Sequence, residues 1–202
     1  MRNNTTGIIL SGGKGTRMGG VEKAFIAVNG KSLIARKTED LKAFCSEIII
    51  VVNNLELYRN DDFAKCRIVE DINKDKGPLM GIYSGLINSA NKYNFITAVD
   101  MPFFNLDLCK YMKQYIEDYD VVVSDIEDKL QPLFGFYSKE CIDSIKASLE
   151  EGESKVRSFF EKVKVKYISK AEVEKYDEKM NSFININTLR DLEEGVIRSP
   201  NA

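Results

Sequence analysis

Three cations set among glycines, and two aspartates at the ends of apolar runs, are the residues whose types and spacing could do chemistry. Residues 10–23 read LSGGKGTRMGGVEK, with Gly12, Gly13, Gly15, Gly19 and Gly20 interleaved with Lys14, Arg17 and Lys23. Glycine suits a backbone that must approach a ligand closely or take a positive φ. An apolar strand that breaks into such a loop before a helix aims backbone N–H groups at an anion. Arg17 can grip a phosphate through two parallel hydrogen bonds, and lysines supply point charges. The chemistry this serves is the holding of a phosphate chain, and three cations suit a triphosphate. A glycine-rich turn with solvated charges is the alternative. The loop fits neither GxxxxGK[ST] nor GxGxxG, because Met18 stands where the latter needs its third glycine.

Asp71 closes the run CRIVED (66–71) and Asp100 closes FITAVD (95–100). Open α/β sheets hold ligands beyond the carboxyl ends of their strands. Asp100, facing a phosphate loop, is placed to hold Mg²⁺, which takes one or two carboxylates plus substrate phosphates. A helix-capping or turn role is the competing reading, but Pro102 intervenes and Asn105 is the better cap. Gly77-Pro78 stiffens the loop after Asp71. Gly81 falls inside a helical pattern at a cost of about 1 kcal/mol, explained equally by an approaching ligand or a neighbouring strand. In FININT (183–188), Asn185 and Asn187 would share one face of a strand, toward a polar heterocycle or toward solvent.

Composition narrows the options. The 202 residues contain no histidine, which removes a Ser-His-Asp triad, a histidine base and a histidine-bound metal. The four cysteines are widely spaced, so reduced, packed thiols are expected. A net charge of -2 argues against nucleic-acid binding. With no apolar run of membrane-spanning length and no signal-peptide core, a cytoplasmic protein without membrane contact is expected.

These residues need elements to position them. Strands are predicted at 7–11, 48–53, 66–71, 95–100 and 120–124. Helical stripes run through 31–44, from Leu79 to Ala90, and over 105–118 with Asn105 as cap. Strand–helix alternation predicts a three-layer α/β/α fold on a mostly parallel, Rossmann-like sheet. The second half is less regular, with strands at 131–137, 164–168 and 182–186, helices at 139–151 and 154–163, and a capping box at Thr188 opening a last helix. One domain is expected, its half to about residue 104 binding nucleotide and its half from about 105 binding acceptor. The charged runs 124–129 and 170–179 read as solvated surface.

LSGGKGTRMGGVEK, VED…GPLMG, DMPF, QPLF and FININT, in that order, resemble the molybdenum cofactor guanylyltransferases of the nucleotide-diphospho-sugar transferase type. The resemblance runs from residue 7 to about 194. It implies transfer of GMP from GTP to the phosphate of molybdopterin (the molybdenum cofactor), with Mg²⁺ and release of pyrophosphate, and molybdoenzyme accessory proteins as further partners. It also implies that Leu10, Ser11 and Gly12 contact the nucleotide, with Gly13, Gly15, Gly77 and Pro78 in the same loops. Lys23 and Arg17 are implied at its phosphates, Asp71 at the nucleotide, Asp100 at the metal, and Gln131, Asn185 and Asn187 toward the acceptor. The sequence departs from the family at Val51, where some members carry a nucleotide-contacting asparagine; the nearest here is Asn53. A cytidylyltransferase, a sugar-phosphate nucleotidyltransferase, or a non-catalytic GTP or cofactor carrier are the rival readings.

Overall fold

The computed structural model describes residues 4–12, 22–28, 30–58, 66–74 and 76–186. The expectations for Gly13, Lys14, Gly15, Arg17, Asn187 and the helix after Thr188 lie outside those residues.

Seven strands form one mixed sheet, and their order follows from which runs are apolar on both faces. In chain order the elements are β1 (Thr5–Ser11), the hairpin strands β2 (Ala27–Val28) and β3 (Lys31–Ser32), α1 (Leu33–Lys42), β4 (Glu47–Val52), β5 (Arg67–Glu70), α2 (Pro78–Asn88), β6 (Tyr93–Ala98), α3 (Leu106–Lys113), β7 (Val121–Ile126), β8 (Lys129–Ser138), α4 (Ile142–Glu150), β9 (Val165–Ser169) and α5 (Lys170–Val173). The sheet order is β5-β4-β1-β6-β8-β7-β9, and β2 pairs with β3 in a separate two-stranded sheet. The central strand β1 runs parallel to β4 and β6, with Ile8 opposite Ile49 and Ile96, and Ile9 opposite Ile50 and Thr97.

Alternation along these strands feeds two cores. Ile9, Ile50, Val52 and Phe95 face α1 and α3, whereas Ile8, Leu10, Ile49, Val51 and Ile96 face α2 and α4. The sheet is thus covered on both faces, as the continuous β-branched runs require. Helix ends follow their caps. Ser32 accepts from the Ala35 N–H at the start of α1, and Asn105 accepts from Leu108 N–H at 2.9 Å at the start of α3. The four cysteines are free thiols, three of them buried.

Four expectations need correction. Strand β8 is longer than 131–137 and runs antiparallel to both β6 and β7, because a tight turn at Glu127 and Asp128, both with positive φ, folds it straight back from β7. The run 182–186 is no strand: Asn181–Phe183 form a 3-10 turn, and residues 184–186 are irregular. The buried Asp177 carboxylate accepts from the Asn181 and Ser182 N–H groups and bends the chain there. The charged runs are also not wholly surface, since Ser124 and Val173 are fully buried. The helical stretch 154–163 is a 3-10 helix, Val156–Lys162.

Helix α2 lies close on β1 because Gly85 has no side chain. A β-carbon there would fall 2.5 Å from Ile8 Cγ2. Gly85→Ala is therefore expected to destabilise the fold by about 1–3 kcal/mol, despite the better helix propensity of alanine. Urea denaturation checks this, and an unchanged midpoint would contradict the close packing.

Candidate active site

The carboxyl ends of β1, β4, β5 and β6 converge on a cavity of about 450 Å³. Leu10, Ser11 and Gly12 come from β1 and the residue after it, Val51 and Asn53 from β4 and its exit, Asp71 from the end of β5, and Ala98, Val99 and Asp100 from the end of β6. Gly77, Pro78 and Gly81 line it from the start of α2, and Glu22 and Lys23 complete it.

Backbone hydrogen bonds fix these strand ends to one another. Val99 N–H donates to Leu10 C=O at 3.0 Å, and Asp71 N–H to Val52 C=O at 2.8 Å. Asp100 lies two residues beyond β6, in the following turn, and its C=O accepts from Ile186 N–H at 2.7 Å. Its carboxylate Oδ2 lies 3.2 Å from Lys23 Nζ, with both side chains about a quarter exposed. Two residues 77 apart in sequence thus meet at one wall of the cavity.

Asp71 is held differently. Ser84, from the second turn of α2, donates from its hydroxyl to Asp71 Oδ1 at 2.6 Å, and that hydroxyl accepts from Ile72 N–H. Burial raises the Asp71 carboxyl above the ordinary range, partly offset by the Ser84 hydrogen bond. Helix α2 is preceded by Gly77 at its N-cap, whose φ of 85° is left-handed, and opens with Pro78 at its first position. That pairing of glycine and proline turns the helix N-terminus toward the cavity, where its positive dipole end suits an anion. Gly81 serves close packing and access together: a β-carbon there would lie 3.3 Å from Leu10 Cδ2 and 3.9 Å from Asp71 Oδ2.

Of the residues singled out from sequence, Leu10, Ser11, Gly12, Lys23, Asp71, Gly77, Pro78 and Asp100 line this one cavity. Gln131 and Asn185 do not: the Gln131 amide donates to Lys129 C=O, and Asn185 is exposed. Asn53 answers the departure at Val51. Its side chain reaches the cavity wall beside Gly12, where a β-carbon would lie 3.0 Å from Asn53 Oδ1. The strand-end rule that picked out Asp71 and Asp100 also points to Asn53. Glu22 and Leu133 carry no such signal.

The whole chain compares closely with known transferases. Residues 7–168 match the family model described as a MobA-like NTP transferase domain. The chain belongs to that family. It is a nucleotidyltransferase, and its relatives point to one branch. A probable molybdenum cofactor guanylyltransferase of Pelotomaculum thermopropionicum is 36% identical over 98% of this chain and 94% of its own. The molybdenum cofactor guanylyltransferase of Desulfosudis oleivorans is 34% identical over 93% and 92%. The fold matches the crystal structure of molybdopterin-guanine dinucleotide biosynthesis protein A from Archaeoglobus fulgidus, with a TM-score of 0.80 at 24% identity, over 94% of this chain and 96% of that one. Among the described residues, no helix of the transferase is long and apolar enough to cross a membrane.

Proposed function

We propose that this transferase moves GMP from GTP to the terminal phosphate of molybdopterin, releasing pyrophosphate. The observation that carries the reading is the convergence of Lys23, Asp100, Ser11, Gly12 and the α2 N-terminus on one cavity, in a chain whose relatives carry that name. The strand-end wall takes the nucleoside, with Asn53 and Asp71 as its polar contacts. Lys23 faces the phosphates, a role that the sequence reading also gives to Arg17. The adjoining cavity of about 510 Å³ shares Pro78 and Leu133 with the first and is lined by two cations, Lys155 and Arg157, and two carboxylates, Asp125 and Asp128; the cations are the groups that would meet an acceptor's phosphate.

The acceptor phosphate is already an anionic nucleophile. It forms its new P–O bond at the α-phosphorus of GTP as the bond to the β-phosphate oxygen breaks, so no strong base is required. Catalysis then consists of alignment and charge stabilisation. Lys23 stabilises the charge growing on the departing pyrophosphate. A hard cation fits the donor set, since Asp100 offers a carboxylate oxygen at the cavity wall and substrate phosphates would supply further oxygens. Asp100 would hold Mg²⁺ together with substrate phosphates, and the cation would supply charge neutralisation and phosphate orientation.

Binding tests the nucleoside assignment. In Mg²⁺, GTP at about 100 times its Kd is expected to stabilise the protein by about 2.7 kcal/mol, with CTP and UTP doing less at the same concentration. Thermal melts with each nucleotide measure it. A larger shift with CTP would move the chain to cytidylyl transfer.

A further inference from the structure

The hydroxyl of Tyr58 joins two parts of the cavity wall that are far apart in sequence. Tyr58 is buried in a 3-10 turn, Leu55–Tyr58, that follows β4. Its Oη lies 2.7 Å from Ser11 Oγ, in a buried hydrogen bond, and 3.5 Å from Glu22 Oε1. Its ring packs against Phe25 at 4.9 Å between centroids. Ser11 and Glu22 line the cavity, whereas Tyr58 itself stands behind them. Glu22 is the residue before Lys23, whose ammonium meets Asp100. The same exit from β4 carries Asn53, which lies against Gly12.

We infer that Tyr58 is a positioning residue for nucleotide binding: its hydroxyl fixes Ser11 at the end of β1 and, through Glu22, the stem that presents Lys23. The inference rests on reading the cavity as a nucleotide site. The physical ground is preorganisation, since a binding group already held in place loses less freedom when the ligand arrives. Ser11 at a strand end is held by the sheet on its backbone, but its hydroxyl has free rotation unless something fixes it. The Tyr58 hydroxyl does so from a buried position, where a hydrogen bond is stronger than in water. Burial also raises both Tyr58 and Glu22 above their ordinary ranges, so the tyrosine remains a hydroxyl throughout the neutral range.

Tyr58→Phe keeps the ring packed on Phe25 and removes the hydroxyl alone. Isothermal titration with GTP is expected to show a Kd about 3- to 10-fold weaker, the effect of one lost hydrogen bond. In steady state the change should fall mainly on KM for GTP, with kcat within about twofold. Ser11→Ala should weaken GTP as well, and adding Tyr58→Phe to it should cost little more, because the pair acts as a unit. A purely structural tyrosine would lower the melting temperature and leave the GTP Kd unchanged, and that result overturns the inference. Fully additive losses in the double variant overturn it too. If the wild-type chain binds GTP and Tyr58→Phe binds it equally well, the inference alone fails. If the wild-type chain binds no nucleoside triphosphate, the functional reading fails and takes the inference with it.

Discussion

Asp100→Asn is expected to lower nucleotidyl transfer by at least about 10²- to 10³-fold, the usual cost of removing one charge-stabilising group from an active site. The asparagine keeps the shape of the side chain and can still pack in the turn after β6. It removes the negative charge that faces the cavity, 3.2 Å from Lys23 Nζ. Two functions are lost together: the carboxylate available to a hard cation, and the charge that holds the Lys23 ammonium at this wall. The fold should survive. The pair is partly solvated, and such pairs contribute about 0–1 kcal/mol. The backbone C=O of Asp100, which accepts from Ile186 N–H, is untouched. Turnover and a thermal melt on the same preparation check both parts. Near-normal turnover would remove Asp100 from the reaction. A collapsed melting temperature would make it a structural residue.

Replacing Lys37 should stabilise the protein, by an amount that depends on pH. Lys37, on α1, is fully buried, and its Nζ has no hydrogen-bond partner among the described residues. Its ammonium lies 5.8 Å from the centre of the Phe104 ring. Burial lowers its pKa from 10.5 to about 8, opposed chiefly by the Asp40 carboxylate and more weakly by Asp100. In the unfolded chain the proton stays on to about pH 10.4. Between these values the unfolded state binds more protons than the folded one, so stability rises with pH across that window. Below pH 8 the full penalty is present, of order 3 kcal/mol. Lys37→Met fills a similar space without the charge, and at pH 7 it should recover a large part of that penalty. The variant should be the more stable at pH 7, and the gap should close as the pH approaches 10. Denaturant titrations at pH 7, 8.5 and 10 test it. A variant less stable than the wild type at pH 7 would mean that the ammonium is favourably satisfied in the folded protein.

The parallel half of the sheet was legible because each of its strands is a continuous apolar, β-branched run ending in a polar residue. That pattern specifies burial on both faces and marks the ligand edge at once, which is why Asp71 and Asp100 could be read together, whereas Ser11 came from the family resemblance. The reversal at β8 was less legible. QPLFGFY looks the same whether it runs parallel or antiparallel, and the deciding residues, Glu127 and Asp128, take a positive φ without the glycine that usually advertises it. SFINI carries strand-like alternation, but among the described residues its backbone link to the sheet region is the hydrogen bond from Ile186 N–H to Asp100 C=O, so the pattern alone misled. Lys37 was unreadable for a different reason. A lysine among Ile34, Leu41 and charged neighbours looks like the solvated side of a helix, and only the packing of α1 against Phe104 and α3 shows that it is enclosed. Tyr58 gave no signal either, because its role depends on a contact with Ser11 across 47 positions of sequence.

The most direct test of guanylyl transfer is pyrophosphate release on mixing the purified protein with Mg²⁺, molybdopterin and each of GTP, CTP, ATP and UTP in turn. Release that requires molybdopterin and occurs with GTP, far above the other three, is the predicted result. Release with CTP in preference to GTP, or no release with any of them, would contradict it.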